Sequence, residues 1–304
     1  MSANRREFLT TASIVLAGGA LGRAGLLAQQ PPAQAPPAPA FTDLRRNVGI
    51  FTARGGTIGW FVSPDGVVVV DSQFPDTAAA CLEGLDQRSK KHPIDFLFLT
   101  HHHGDHTAGL VTFRPVTKKI VAHAKEVEAQ KAATKPGNEA AQVYADAVFT
   151  QAWAERFGRE TVEARHLGPA HTGGDAIIYF HRANVVHMGD LVFNRLHPYI
   201  DKAAGASIAG WITWLERAAK DHSADTIFVF GHAKAGWKVT GGRPELLFMR
   251  DYLAALLDYV RTEIKAGKPR DEIAKSTAEL EGFPDHGPLI PRVLTAAYDE
   301  LSKG

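Results

Sequence analysis

A buried-looking strand that runs straight into a burst of metal-binding side chains constrains this chain more than any other feature. Residues 97–109 read LFLTHHHGDHTAG. Apolar and β-favouring residues at 95–100, bounded by Pro93, predict a buried strand. Beyond it come His101, His103, Asp105 and His106, with His102 between them. Imidazole and carboxylate together suit borderline divalent metals, above all zinc. Past a strand end, on a turn carrying Gly104, these groups can converge on one point. Strand alternation pairs 101 with 103 and turns 102 away.

The same arrangement repeats. Residues 160–167 predict a strand that leads into the glycine-rich turn holding His171. Strands at 176–180 and 184–187 pair, and the second runs into Met188-Gly189-Asp190. A strand at 226–230 ends in Gly231-His232. His92, His181, His222 and His286 lack such a setting. The strand ends together offer five histidines and two carboxylates. That is too many for one four-coordinate ion and suits two, about 3.5–4 Å apart.

The rest of the chain fits an ordinary α/β domain. Three short strands are expected at 48–53, 57–63 and 66–71, the last (GVVVVDS) β-branched and so buried on both faces. Asp71 ends it, placed to orient metal ligands from behind or to cap a turn. A helix follows over 76–91, a short one starts at 107–110, and a strand spans 119–122. His123 after that strand reads as a polar surface residue. Residues 131–158 suggest a helical patch carrying Tyr144, Phe149 and Trp153, as a connector or a substrate-covering insertion. An amphipathic helix is expected over 208–221, with Trp211, Trp214 and Leu215 in the core. Helices at 245–266 and 289–301 close the chain.

Composition excludes several classes. Net charge is +1 over 304 residues, so no basic excess grips nucleic acid. Cys81 is the only cysteine, which rules out a disulfide framework; its apolar run makes it a small buried hydrophobe. The first forty residues read as an address. Arg5-Arg6 precedes a weakly hydrophobic segment at 9–28, as in a twin-arginine signal peptide. Its glycines, two threonines and Arg23 make it too polar for a stable membrane span, and cleavage is expected near Ala28. The domains expected are a 1–28 signal peptide, a 29–40 Pro/Ala linker and a 41–304 folded domain that carries the metal-binding residues and ends in helices. The partners implied are the twin-arginine translocon and a small-molecule substrate; the location implied is periplasmic or secreted.

Thr100-His101-x-His103-x-Asp105-His106, followed by His171, Asp190 and His232, resembles the metallo-β-lactamase superfamily over roughly residues 45–240. The resemblance implies a four-layer αββα sandwich of two mixed β-sheets with outer helices, an α/β fold with metals at one edge. It implies that His101, His103 and His171 hold the first metal and Asp105, His106 and His232 the second, with Asp190 bridging. His102 has no family role. Lactamases proper usually carry Cys or Ser where this chain has Asp190. The bridging aspartate is similar instead to glyoxalase II, lactonase, phosphodiesterase and arylsulfatase-like members. The expected activity is hydrolysis of an ester, thioester, lactone or lactam by a hydroxide on two Zn2+ ions, with iron or manganese as alternative ions. Asp105 would also orient the nucleophile and relay its proton; His197 and Tyr199 are candidate substrate contacts. Competing readings are a lactamase proper, an iron-dependent redox member, a non-catalytic metal binder, and a phosphodiester or sulfate-ester hydrolase.

A bridging carboxylate separates two cations rather than supporting the core. Asp190→Ser is therefore expected to lower second-metal occupancy more than folding stability. Elemental analysis beside denaturant unfolding measures both; an equal loss in the two would contradict the bridging role.

Overall fold

The computed structural model describes residues 38–138 and 142–302. The leader and most of the Pro/Ala linker lie outside the described residues. One sheet has the order β1-β2-β3-β4-β5-β6-β7. Its strands are β1 (Ala40–Arg45), β2 (Val48–Thr52), β3 (Ile58–Ser63), β4 (Gly66–Val70), β5 (Ile94–Phe98), β6 (Thr117–His123) and β7 (Ala147–Phe149). β1 to β4 form an antiparallel meander; β4 to β7 are parallel. The second sheet runs β15-β13-β11-β10-β9-β8. Its members are β8 (Ala152–Phe157), β9 (Glu160–Arg165), β10 (Ile177–Phe180), β11 (Val185–His187), β13 (Ile227–Val229) and β15 (Thr240–Gly241). Here β11 and β13 are the parallel pair, and β12 (Phe193–Asn194) pairs with β14 (His232–Ala233) in a separate two-stranded parallel ribbon.

Strand alternation builds the layers. In β4, Val68 and Val70 enter the core between the two sheets, where they join Phe61, Phe98, Ile178 and Phe180. Val67 and Val69 turn outward onto α1 (Pro75–Ser89) and α3 (Leu110–Phe113), beside buried Cys81. Both faces of this strand are covered, as its unbroken β-branched sequence predicts. On the far side, α5 (Ile208–Asp221), α6 (Arg243–Lys265) and α8 (Pro291–Leu301) pack Trp211, Trp214, Leu253 and Leu294 over the second sheet. The order of layers is helix, sheet, sheet, helix.

Two expectations change. Residues 147–157 are strands β7 and β8, not a helical patch. Phe149, Trp153 and Phe157 recur at a helical interval, but the turn at 150–151 resets the alternation between two strands. His123 is no surface residue: it is 3% exposed and stacks on His166 at 3.8 Å between centroids. β1 was not anticipated from its mixed polar pattern.

Behind the site, on α4 (Ala124–Ala133), Glu126 is fully buried and neither of its carboxyl oxygens meets a protein hydrogen-bond partner. Burial, reinforced by the charge of Asp71, lifts its pKa from the ordinary 4.5 to about 8. The folded protein thus keeps a proton the unfolded chain releases. The stability tied to that proton is whole below pH 4.5 and is lost as pH rises through 8. Glu126→Gln fixes the neutral form, so its Tm advantage over wild type is expected to widen from pH 5 to pH 9. Thermal melts across that range check this, and a pH-independent difference would contradict it.

Candidate metal centre

The carboxyl ends of parallel strands in both sheets meet at one edge, the usual place for a site in such sheets. β4 delivers Asp71, β5 leads to His101–His106, β11 leads to Asp190 and β13 to His232. The loop after β9 brings His171. Asp105 and His106 lie on α2 (Gly104–Thr107), a single turn that starts at His103 and points both inward.

All seven side chains expected from the sequence come together. His101, His103, His171 and Asp190 form one group of potential ligand atoms, and Asp105, His106 and His232 another. Asp190 Oδ2 lies 3.7 Å from His101 Nε2, 3.6 Å from His171 Nε2 and 3.3 Å from His232 Nε2. Its Oδ1 lies 3.0 Å from His106 Nε2. One carboxylate therefore touches both groups. Asp105 Oδ2 sits 3.1 Å from His232 Nε2 and 3.7 Å from His106 Nε2.

Hydrogen bonds behind the rings fix which nitrogen faces inward. Thr100 Oγ1 donates to Asp71 Oδ2 at 2.8 Å, so it must accept from His101 Nδ1 at 3.0 Å, which leaves His101 Nε2 bare. His106 Nδ1 donates to Asp71 Oδ2 at 2.7 Å. His171 Nδ1 donates to the Tyr199 carbonyl at 2.7 Å. His103 is turned the other way: its Nε2 donates to Asp201 Oδ2 at 3.0 Å and its Nδ1 faces the site. The result is that the bare His103 Nδ1 and His171 Nε2 face each other at 3.0 Å. His101 Nε2 is buried with no hydrogen-bond partner. Lone pairs aimed at one another in a buried cluster fit a cation between them, and these donors fit zinc.

The electrostatics agree. Burial pushes His101 well below its ordinary range, and His171 to about 3, so both stay neutral. Burial opposes charge on His106 and His232 too, but the carboxylate of Asp190 outweighs it, aided by Asp71 and Asp105 respectively. His106 is raised well above its usual value and His232 to about 9. Asp190 resists its own burial because His232, His106 and His101 surround it, and it is held well below the usual carboxylate range. Without metal, protons on His106 and His232 balance the carboxylates. A metal entering that group must displace them.

Glycines make room. A Cβ on Gly231 would lie 1.9 Å from Asp190 Oδ1, and one on Gly56 would lie 2.2 Å from the His106 ring. Helix α5 ties down two ligand loops: Trp211 Nε1 donates to the Leu191 carbonyl at 2.9 Å and Trp214 Nε1 to that of Gly168 at 2.8 Å. The sequence marked these tryptophans as core; their second job as tethers depends on where the loops pass.

Of the weaker candidates, Tyr199 is exposed at the mouth with its ring 5.2 Å from that of His103. His197 has both ring nitrogens engaged, Nδ1 with the Tyr252 hydroxyl at 2.6 Å and Nε2 with the Pro288 carbonyl at 2.9 Å. It offers substrate only a ring face. Asp201 was missed. It stands in an unremarkable Tyr-Ile-Asp-Lys stretch, and only the fold puts it beneath His103. His102 turns away from the centre and shares the same carboxylate oxygen at 3.5 Å. Burial works against charge on Asp201, but the hydrogen bonds of His102 and His103 outweigh it and hold the carboxyl far below its ordinary range.

Asp201→Ala is expected to weaken metal binding roughly 10–100-fold, as loss of an orienting partner does elsewhere. Competition with a chromogenic chelator measures this, and unchanged affinity in a folded variant would dismiss the orienting role.

Comparison with known proteins places the geometry in context. A family model described as the metallo-beta-lactamase superfamily matches residues 52–232. The metallo-beta-lactamase type 2 of Bacillus cereus is 25% identical over 206 residues, covering 65% of this chain and 77% of that protein. Among solved structures, a metallo-beta-lactamase from Pontibacter korlensis has a TM-score of 0.59 at 17% identity, covering 71% of this chain and 99% of its own. A sec-alkylsulfatase from Pseudomonas sp. has a TM-score of 0.66 at 16% identity, covering 86% of this chain and 50% of that one.

Proposed function

The chain belongs to the metallo-beta-lactamase superfamily and is a metallo-hydrolase, and we propose that it is a dinuclear zinc enzyme that cleaves an ester, thioester, lactone or lactam. The observation that carries this reading is the set of bare, inward-facing histidine nitrogens around one buried carboxylate. His101, His103 and His171 would hold one ion, Asp105, His106 and His232 the other, with Asp190 between them. Zinc held there supplies a water acidic enough to ionise near neutral pH and a Lewis acid for the carbonyl oxygen.

The chain's own groups do the rest. The first group is the more buried, with His101 and His171 almost wholly covered and His103 keeping 17% of its side-chain surface, whereas Asp105 and His232 keep 29% and 23%. Substrate therefore approaches over the second group. Burial disfavours charge on Asp105, but the hydrogen bond from His232 prevails and keeps it ionised. From this rim position Asp105 can orient the attacking water, accept its proton and pass it to the leaving group. The residue at position 190 favours the bridging-aspartate members of the superfamily over lactamases proper. The Arg5-Arg6 leader supports export of the folded, loaded protein to the periplasm.

Elemental analysis of purified protein, coupled to a screen of ester, thioester, lactone and lactam substrates, tests the proposal. Close to two zinc ions per chain and metal-dependent turnover are expected. His103→Ala should lose the first ion and cut the rate beyond the roughly 10–100-fold carried by orienting partners alone. Iron with oxygen consumption, or metal without turnover on any panel, would overturn the reading.

A further inference from the structure

A cavity opens beside the metal centre, and half of the residues that line it follow His232, the last candidate ligand, in sequence. It has a volume of about 290 Å³ and shares His232 with the centre. Three cationic side chains line it, Arg195, Lys234 and Arg292, against one carboxylate, Asp285. Lys234, Asp285 and Arg292 all lie beyond residue 232, where the family match stops.

Arg195 is held unusually firmly. Its backbone is left-handed, with φ of 64°, a conformation that non-glycine residues adopt at a cost. Its guanidinium lies 3.3 Å from the centroid of Phe248 and 4.6 Å from that of Trp237. Yet its Nε and Nη1 are buried with no hydrogen-bond partner, and Asp285 Oδ2 stays 3.8 Å from Nε. Arg195 thus presents to the cavity a cation held against two aromatic rings and matched by a carboxylate only at 3.8 Å, a charge that a planar or tetrahedral oxyanion can share. Lys234 donates only to the Asp285 backbone carbonyl, and Arg292 Nη2 to that of His197 at 3.1 Å, so neither cation is neutralised by a carboxylate there. His286, close by, has both ring nitrogens unpartnered. Burial, then the neighbouring His197, Arg195 and Lys234, press its pKa down to about 3, in keeping with a positive field.

We propose that this cavity is an anion subsite: Arg195, Lys234 and Arg292 hold a carboxylate, sulfate or phosphate group of the substrate while its scissile bond lies against His232 and Asp105. This rests on the hydrolase reading above and narrows it to small anionic substrates. The cavity sits at the lower end of the roughly 300–1,000 Å³ range of small-molecule sites, which favours a short molecule over a polymer.

The test uses metal-loaded protein and a matched pair, mono-p-nitrophenyl succinate and its neutral methyl ester. Wild type is expected to prefer the anionic ester in kcat/KM, mainly through KM. Arg195→Met and Arg292→Gln should each shrink that preference roughly 10–100-fold, the scale of a lost charge-assisted contact. Folded, metal-loaded variants that keep the preference, or a wild type that favours the neutral ester, would overturn the proposal. A second measurement needs neither turnover nor a variant. Trp237 reports on Arg195, so its fluorescence should change saturably with succinate, methyl sulfate or methyl phosphate at constant ionic strength, and the tightest of the three names the anion. No saturable change with any of them would overturn the subsite. Saturable binding with no ester turned over would keep the subsite and retire the hydrolase reading.

Discussion

One buried carboxylate organises this protein. Asp190 lies within 3.0–3.7 Å of four imidazoles contributed by three separate strand ends. In a low-dielectric interior a carboxylate can remain ionised only if positive charge surrounds it. The protonated His106 and His232 meet that need without metal, and cations meet it with metal. His171 stays neutral through burial and lends no such charge; its bare nitrogen and that of His101 are placed as donors to a metal.

Such a cluster is useful only if its rings cannot turn. Each of four histidines has its outer nitrogen engaged by a defined group: Thr100, Asp201, Asp71 and the Tyr199 carbonyl. These anchors are themselves held. Asp71 accepts from the Thr100 amide at 2.8 Å, while Ser72 donates through both its amide and its hydroxyl to the His106 carbonyl. On the opposite side the indoles of α5 grip the loops that carry His171 and Asp190. The αββα layers supply the rigidity on which these short loops depend, and the strand termini supply the convergence.

The helices that follow the family-matched region do more than cover the second sheet. Through Phe248, Asp285 and Arg292 they complete a charged cavity whose inner wall is a candidate metal ligand. Reactivity and selectivity would then draw on different stretches of chain: the strand ends for the one, and Arg195 with the segments after His232 for the other. That division suits a fold in which the chemistry is fixed at the sheet edge and the surrounding segments vary.

The local pattern of the chain determined a good deal. Apolar runs ending in histidine, aspartate and glycine located the candidate ligands, because a strand that stops at a sheet edge must present its next residues there. The unbroken valines of β4 announced a strand covered on both faces, and the spacing of Trp211, Trp214 and Leu215 announced a packed helix. What only the tertiary structure decided was pairing across long distances. Asp201 beneath His103, the inversion of the His103 ring and the stacking of His123 on His166 depend on segments far apart in sequence. So does Arg195 between Trp237 and Phe248. Residues 147–157 mislead for a related reason: a tight turn resets the alternation, and only the neighbouring strands reveal it. Side chains near in sequence show their periodicity; those brought together by folding have no shared period to display.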